Sequence, residues 1–307
     1  MSEKTGNRTV LYLLVLICAL FWGLSFFATT VALTELNPLQ ILPLRWTLAA
    51  VIFIILALTK VIKVDFRKKN LKLLVLTGFI QPCVYSIFET NGIAMTTTSE
   101  SSIFIATIPV TVLIMGMLFF GQRYDRKVIL GIITAFSGVV ICVYFSPAFS
   151  LGGKGAGYLV LVGAILSGAL YAHVSAKASE TFTPMEITVG ISIAGCIFFN
   201  ILSIGKGYGI SGYEICFSDW HMFIAIAFLG ICCSGICYLI FNTVLSALPT
   251  AIASNLVGNT TTAIGVISGC LFAGDPFGWY TVAGLSLTII GVCTASVFAG
   301  KENKTQK

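Results

Sequence analysis

Tyr85–Thr90 reads YSIFET, and Tyr238–Thr243 reads YLIFNT. The same offset of 153 positions joins Ala94 to Ala247, Ser101 to Ser254 and Gly116 to Gly269. It also joins LFFG, ending at Gly121, to LFAG, ending at Gly274, and it joins Gly131 and Gly138 to Gly284 and Gly291. One offset shared by this many positions points to a duplicated unit, 1–150 and then 151–307. In membranes, duplicated units commonly enclose a substrate site between the two halves.

Composition sets the medium. The chain has 307 residues, 57% hydrophobic and 10% charged, with a mean hydropathy of +0.98. A soluble domain carries about 25% charged residues. A polytopic membrane protein follows, because each spanning helix needs about 20 apolar residues. Ten such stretches run about 10–34, 39–60, 73–94, 101–121, 128–145, 156–176, 186–204, 221–244, 250–273 and 278–299. They leave no room for a soluble catalytic domain. The first, behind Lys4 and Arg8, is too long for a signal-peptide core and has no clear cleavage site, so it reads as a retained helix.

The expected fold is an all-α membrane protein of ten transmembrane helices. Five per half is an odd number, so the second half enters from the opposite side and the repeats are inverted. Charge agrees. With both termini in the cytoplasm, 15 of the 18 Lys and Arg fall in inner segments, as the positive-inside rule requires of a cell-membrane protein. The net charge of +6 therefore needs no nucleic acid partner. The loop after Gly121 holds Arg123, Arg126 and Lys127, while its repeat partner after Gly274 holds no basic residue. An inverted copy predicts that difference.

Several features invite chemistry and do not support it. Nine of the ten cysteines lie in spans and Cys216 alone lies in a loop. Buried cysteine behaves as a small hydrophobe. Cys232, Cys233 and Cys237 share no His or carboxylate on their segment, so no metal site is expected. Gly152, Gly153, Gly155 and Gly157 resemble a phosphate loop, but no strand precedes them and no GK[ST] follows. No cofactor is expected. With two histidines near opposite faces, an intramembrane enzyme lacks its convergent acid, base or metal set.

Polar residues four apart share a helix face. Gln81, Tyr85 and Glu89 form such a stripe in the third stretch, beside Pro82, which should weaken the backbone ladder there. Ser234, Tyr238 and Asn242 take the matching positions in the eighth. The ninth adds Asn255, Asn259 and Thr262, the first Trp22, Ser25 and Thr29, and the sixth Ser167, Tyr171 and Ser175. Facing stripes would line a cavity. The plain alternative is hydrogen bonding between helices, about 0.6 kcal/mol each.

Glu89 is the sharpest single residue. A charge at the bilayer centre costs about 3 kcal/mol on insertion scales. Three readings stand open: an ion pair with Arg45 at similar depth, a site for a substrate ammonium or a coupling proton, or snorkelling to the outer interface. Glu35, Glu100 and Glu186 lie near helix ends and are expected to be solvated. His173 reads as packed and His221 as interfacial. The glycines at 131, 138, 284 and 291, and Gly265-x-x-x-Gly269, allow close helix approach. Packing inside one chain is the plain reading, and a homodimer through the fifth and tenth helices is the alternative.

FWGLSFF at Phe21–Phe27, PLRW at Pro43–Trp46 and the run from Ser101 through Pro109 to FFGQR at Phe119–Arg123 resemble EamA-type proteins of the drug/metabolite transporter superfamily. The second half repeats the pattern from GALYA at Gly168–Ala172 to Gly291. The resemblance covers nearly the whole chain. It implies a ten-helix fold of two inverted repeats working by alternating access. It further implies a cavity among helices 1, 3, 4, 6, 8 and 9, helices 5 and 10 at the periphery, and export or uptake of amino acids and other small metabolites. The sequence departs from the family pattern at Gln122, where an acid is common, at Pro276 after Asp275, and at Thr262, the partner of Pro109.

The sequence thus predicts a secondary transporter for a small metabolite, with an amino acid as a candidate and export as the direction. Candidate substrate residues are Trp22, Gln81, Tyr85, Glu89, Tyr171, Tyr238, Asn242, Asn255 and Asn259. Glu89 and Arg45 are the candidate coupling site or ion pair. A non-transporting membrane partner or receptor subunit is the rival, and it would need adhesive loops or a soluble domain.

Overall fold

The computed structural model describes residues 8–67, 69–120, 125–147 and 155–305. Gly121, Gln122, Arg123, Gly152 and Gly153 lie outside the described residues, as do Lys4, Lys68, Lys154 and Lys307. Every regular element among the described residues is helical. The long helices are α1 (Arg8–Ala32), α2 (Pro38–Leu58), α3 (Lys72–Met95), α4 (Thr98–Phe119), α5 (Arg126–Tyr144), α6 (Gly155–Ala178), α7 (Pro184–Gly205), α8 (Trp220–Ala247), α9 (Thr250–Phe272) and α10 (Trp279–Thr305).

Among the described residues, nine helices are long and apolar enough to span a membrane. Helix α9 has 23 residues but is not one of the nine, because Asn255, Asn259 and the three threonines 260–262 dilute its apolar run. Its main neighbours are α1, α4 and α10, with smaller contacts to α6 and α8.

The principal packed pairs are α5 with α10, α2 with α7, α4 with α9, α1 with α9, α4 with α6, α3 with α6, α1 with α8, α3 with α7 and α2 with α8. Exchanging every helix for the one five places away maps this set onto itself. The largest apolar cluster draws on α1, α2, α3, α4, α6, α7, α8 and α9, with Trp46, Tyr171, Phe199 and Phe241 among its members. Helices α5 and α10 form a pair beside it and share a cluster with α4 around Val110, Ala135 and Val292. Large apolar side chains such as Leu118, Phe119, Leu159 and Leu271 are exposed on the periphery. That shell matches a lipid environment.

The α5 and α10 backbones touch. A Cβ at Gly131 would lie 2.5 Å from the Ala295 amide nitrogen, and one at Gly284 would lie 2.6 Å from Cys142 Cβ. These glycine faces are therefore buried inside one chain and are not available to a second copy. The homodimer expectation loses the surface it rested on.

Helix ends correct two further expectations. Glu100 and Glu186 are each 3% exposed, not solvated. Both are the third residue of a capping box, begun by Thr97 and Thr183, so each carboxylate returns a hydrogen bond to its cap backbone. Glu186 also takes Lys69 Nζ at 2.6 Å and the Asp65 backbone N–H at 3.0 Å, tying the 61–71 loop to α7. Glu35 is exposed. The segment before Trp220, expected as loop, contains a short helix, Ser211–Ser218. Cys216 is buried on it, and that burial raises its thiol above the ordinary range.

Candidate functional site

Three of the central helices depart from regular α geometry. In α3, Phe79–Tyr85 is π-helical, with Pro82 inside it. In α8, Phe228–Cys237 is π-helical. Pro82 lacks an amide donor, which favours a local change of ladder. No proline explains the second segment. The two π segments overlap when aligned by the repeat offset, and both end beside the repeated tyrosines, Tyr85 and Tyr238. Such insertions often mark functional positions. Helix α4 is interrupted between Ile105 and Ile108, just before Pro109, while α9 runs unbroken past its partner residue Thr262.

These segments surround a cavity enclosing about 740 Å³ of atom-free space, open solvent at its mouth included. Seven helices contribute: Trp22 and Ser25 from α1, Arg45 from α2, Gln81, Tyr85 and Glu89 from α3, Ile108 and Pro109 from α4, Gly168 and Tyr171 from α6, Tyr238 and Phe241 from α8, and Ser254, Gly258 and Thr261 from α9.

Charge is confined to one pole. Arg45 Nη1 lies 3.6 Å from Glu89 Oε2, with the side chains 4% and 13% exposed. Arg45 Nε donates to Ser234 Oγ at 2.9 Å, and Tyr85 donates its phenol to Glu89 Oε1 at 2.9 Å. The Glu89 carboxylate therefore sits inside the protein on the cavity wall, not snorkelled to an interface. A buried pair of this kind is costly to break, because removing either partner leaves the other an uncompensated buried charge.

Aromatic rings line the cavity beside this pole, since Trp22 bonds Cys233 and Arg45 bonds the next residue, Ser234. Trp22 meets Tyr238 and Phe241 edge-on, at centroid distances of 5.2 and 5.3 Å. Its indole donates to the Cys233 carbonyl at 3.2 Å. Tyr171 meets Tyr238 at 6.1 Å. Gln81 donates its amide to the Tyr238 hydroxyl, joining α3 to α8 across the cavity.

Not every candidate converges. Asn242 is fully buried behind Tyr171 and does not line the cavity. Its Oδ1 accepts from Tyr171 at 2.7 Å and Ser175 at 2.8 Å, and its Nδ2 donates to Thr188 Oγ1 at 3.1 Å. Asn255 and Asn259 face α10. Asn255 Nδ2 donates to the Val292 carbonyl and to Ser296 Oγ, both at 2.9 Å, and Asn259 Nδ2 meets Cys293 Sγ at 3.0 Å. One residue along a helix rotates the side chain by about 100°. The cavity face of α9 is Ser254, Val257, Gly258, Thr261 and Thr262, so of the expected stripe Thr262 lines the cavity and the two asparagines do not. Thr29 is buried and Ser167 bonds its own helix, and neither lines the cavity. His173 Nε2 reaches the Val112 carbonyl at 3.1 Å, between α6 and α4. Among the described residues no group of three His, Cys, Asp or Glu could hold a metal ion.

A bundle of apolar helices around a chamber with one ion pair defines a multi-pass membrane protein with an internal site. The chain belongs to the EamA-like transporter family, whose sequence model matches residues 9–144 and again residues 155–297. It is 23% identical over 301 residues to the uncharacterized transporter YcxC of Bacillus subtilis strain 168, covering 97% of this chain and 96% of that protein. It is 27% identical over 273 residues to an uncharacterized transporter of Archaeoglobus fulgidus, covering 89% and 93%. A solved crystal structure aligns with a TM-score of 0.69 at 14% identity, covering 94% of this chain and 98% of the other. At that identity the likeness concerns the fold.

Proposed function

We propose that this transporter carries a small amphipathic metabolite, an amino acid or a related compound, by alternating access between two inverted five-helix repeats, in the direction of export. The observation that carries the reading is the cavity itself, lined by aromatic rings and holding one pole of charge in the first half of α2 and the second half of α3. A polyanion would want several cations, and Arg45 is the single basic residue on the wall. An ammonium group fits beside Glu89, and the rings offer stacking surface. The packing set that maps onto itself supports the two-repeat arrangement, with α9 as the tenth membrane helix. So do the two separate family matches. Lys and Arg placement supports cytoplasmic termini in a cell membrane.

The test uses purified protein in proteoliposomes with a panel of labelled amino acids and amines. Saturable, protein-dependent accumulation of at least one compound is expected. No accumulation, together with a stable membrane partner that co-purifies, would contradict the reading. Direction has a separate readout. Overproduction of an exporter gives resistance to a toxic analogue, and overproduction of an importer sensitises.

A further inference from the structure

The polar side chains on the cavity wall divide into two sets. Nearly all have partners: Trp22 with the Cys233 carbonyl, Tyr85 with Glu89, Gln81 with Tyr238, and Arg45 with Ser234 and Glu89. Two do not. Ser254 Oγ and Thr261 Oγ1 are buried without a hydrogen-bond partner, at 4% and 6% residue exposure. Both line the cavity.

Their isolation is unusual for this helix. A buried hydroxyl on a helix normally donates to a carbonyl three or four residues back. Thr262 does so to Gly258 at 2.9 Å, and Ser268 does so to Gly265 at 2.9 Å. Ser254 and Thr261 stand seven residues apart, so they share one face about 10 Å apart along the axis. Gly258 lies between them, where an added Cβ would stand in ordinary contact with Pro109 Cγ at 3.4 Å. The strip is thus flat in the middle and carries a free hydroxyl at each end. The first repeat has no counterpart. Ser101, the partner of Ser254, is bonded to Thr96 at 2.6 Å, and the position matching Thr261 is Ile108.

Leaving a buried hydroxyl without a partner forfeits its hydration with nothing in return. A hydroxyl both donates and accepts, so it suits an uncharged polar group. We infer that Ser254 and Thr261 are specificity-determining residues that bind an uncharged hydroxyl, amide or carbonyl group of the transported molecule. The ligand class is an amphipathic amine or amino acid bearing a neutral polar group remote from its charged end. The inference rests on the cavity being the transport site.

Three matched probe pairs test it: tyrosine and phenylalanine, threonine and valine, tyramine and phenethylamine. Binding is read as thermal stabilisation of the purified full-length chain, and uptake is read in proteoliposomes. Wild type is expected to favour a hydroxylated member by about tenfold or more, because its partner leaves buried groups unpaired. In Ser254→Ala or Thr261→Val that preference falls towards one. The ligand-free melting point of each variant is expected to hold or rise, since an unpartnered hydroxyl is removed. The inference is overturned if no hydroxylated probe is favoured by wild type. It is equally overturned if the preference survives in both variants, or if both lose ligand-free stability. Uptake of any probe, with or without a hydroxyl, leaves the transport reading standing while this one falls.

Discussion

Helices α3 and α8 share one tyrosine-centred frame and use it in opposite ways. In α3, Tyr85 bonds Glu89 four residues on, and the carboxylate stays on the cavity wall with Arg45. In α8, Tyr238 reaches across to Gln81, and Asn242, at the position of Glu89, is sealed among Tyr171, Ser175 and Thr188. Arg45 ties the copies together, since it also holds Ser234, the partner of Gln81. Positions 153 apart in α3 and α8 carry two polar stripes. One forms the charged pole of the chamber and the other a neutral knot between α6, α7 and α8.

That division makes the two halves respond differently to substitution. The largest effect is expected at Arg45→Met. It strands Glu89 and should cost about 3 to 5 kcal/mol of stability, measured as unfolding in detergent. Arg45→Met combined with Glu89→Leu should recover most of that stability but not transport. If the single change is silent, the pair is not a linked unit.

Next comes Glu89→Gln, which keeps the shape and the Tyr85 contact but removes the charge. Transport in proteoliposomes should fall about tenfold or more, a rise of about 1.4 kcal/mol or more in the transport barrier, and lose its pH dependence. Unchanged rates at every pH would remove Glu89 from the mechanism.

The smallest effect on transport is expected at Asn242→Ala. Three interhelical hydrogen bonds at about 0.6 kcal/mol each give about 2 kcal/mol of stability. Transport per folded molecule should fall less than in Glu89→Gln. A larger transport loss at Asn242 than at Glu89 would reverse the assignment of the two copies.

Much of the fold was legible in the sequence because apolar length and charge placement report the solvent directly. The stretch 250–273 located α9 even though its asparagines and threonines leave it less apolar than the other nine long helices. The stripe Gln81, Tyr85, Glu89 was legible because polar residues on an oily helix have few places to go. The face of α9 was legible only at Thr262. Asn255 and Asn259 are the more polar residues, yet α10 offers them the Val292 carbonyl and Ser296, so they bond between helices and leave the cavity to smaller hydroxyls. The π segment of α8 has no proline to announce it. Thr97-x-x-Glu100 and Thr183-x-x-Glu186 are capping-box patterns that local sequence does carry, though position near a helix end suggested solvent instead.

The most direct measurement is thiol accessibility in a cysteine-free background. Gly258→Cys lies on the cavity face of α9, and Asn259→Cys lies one residue round, towards α10. With the protein in liposomes, a membrane-impermeant maleimide should label position 258 and spare position 259. Labelling at 259 with none at 258 would place the water path on the other side of α9 and contradict a central chamber.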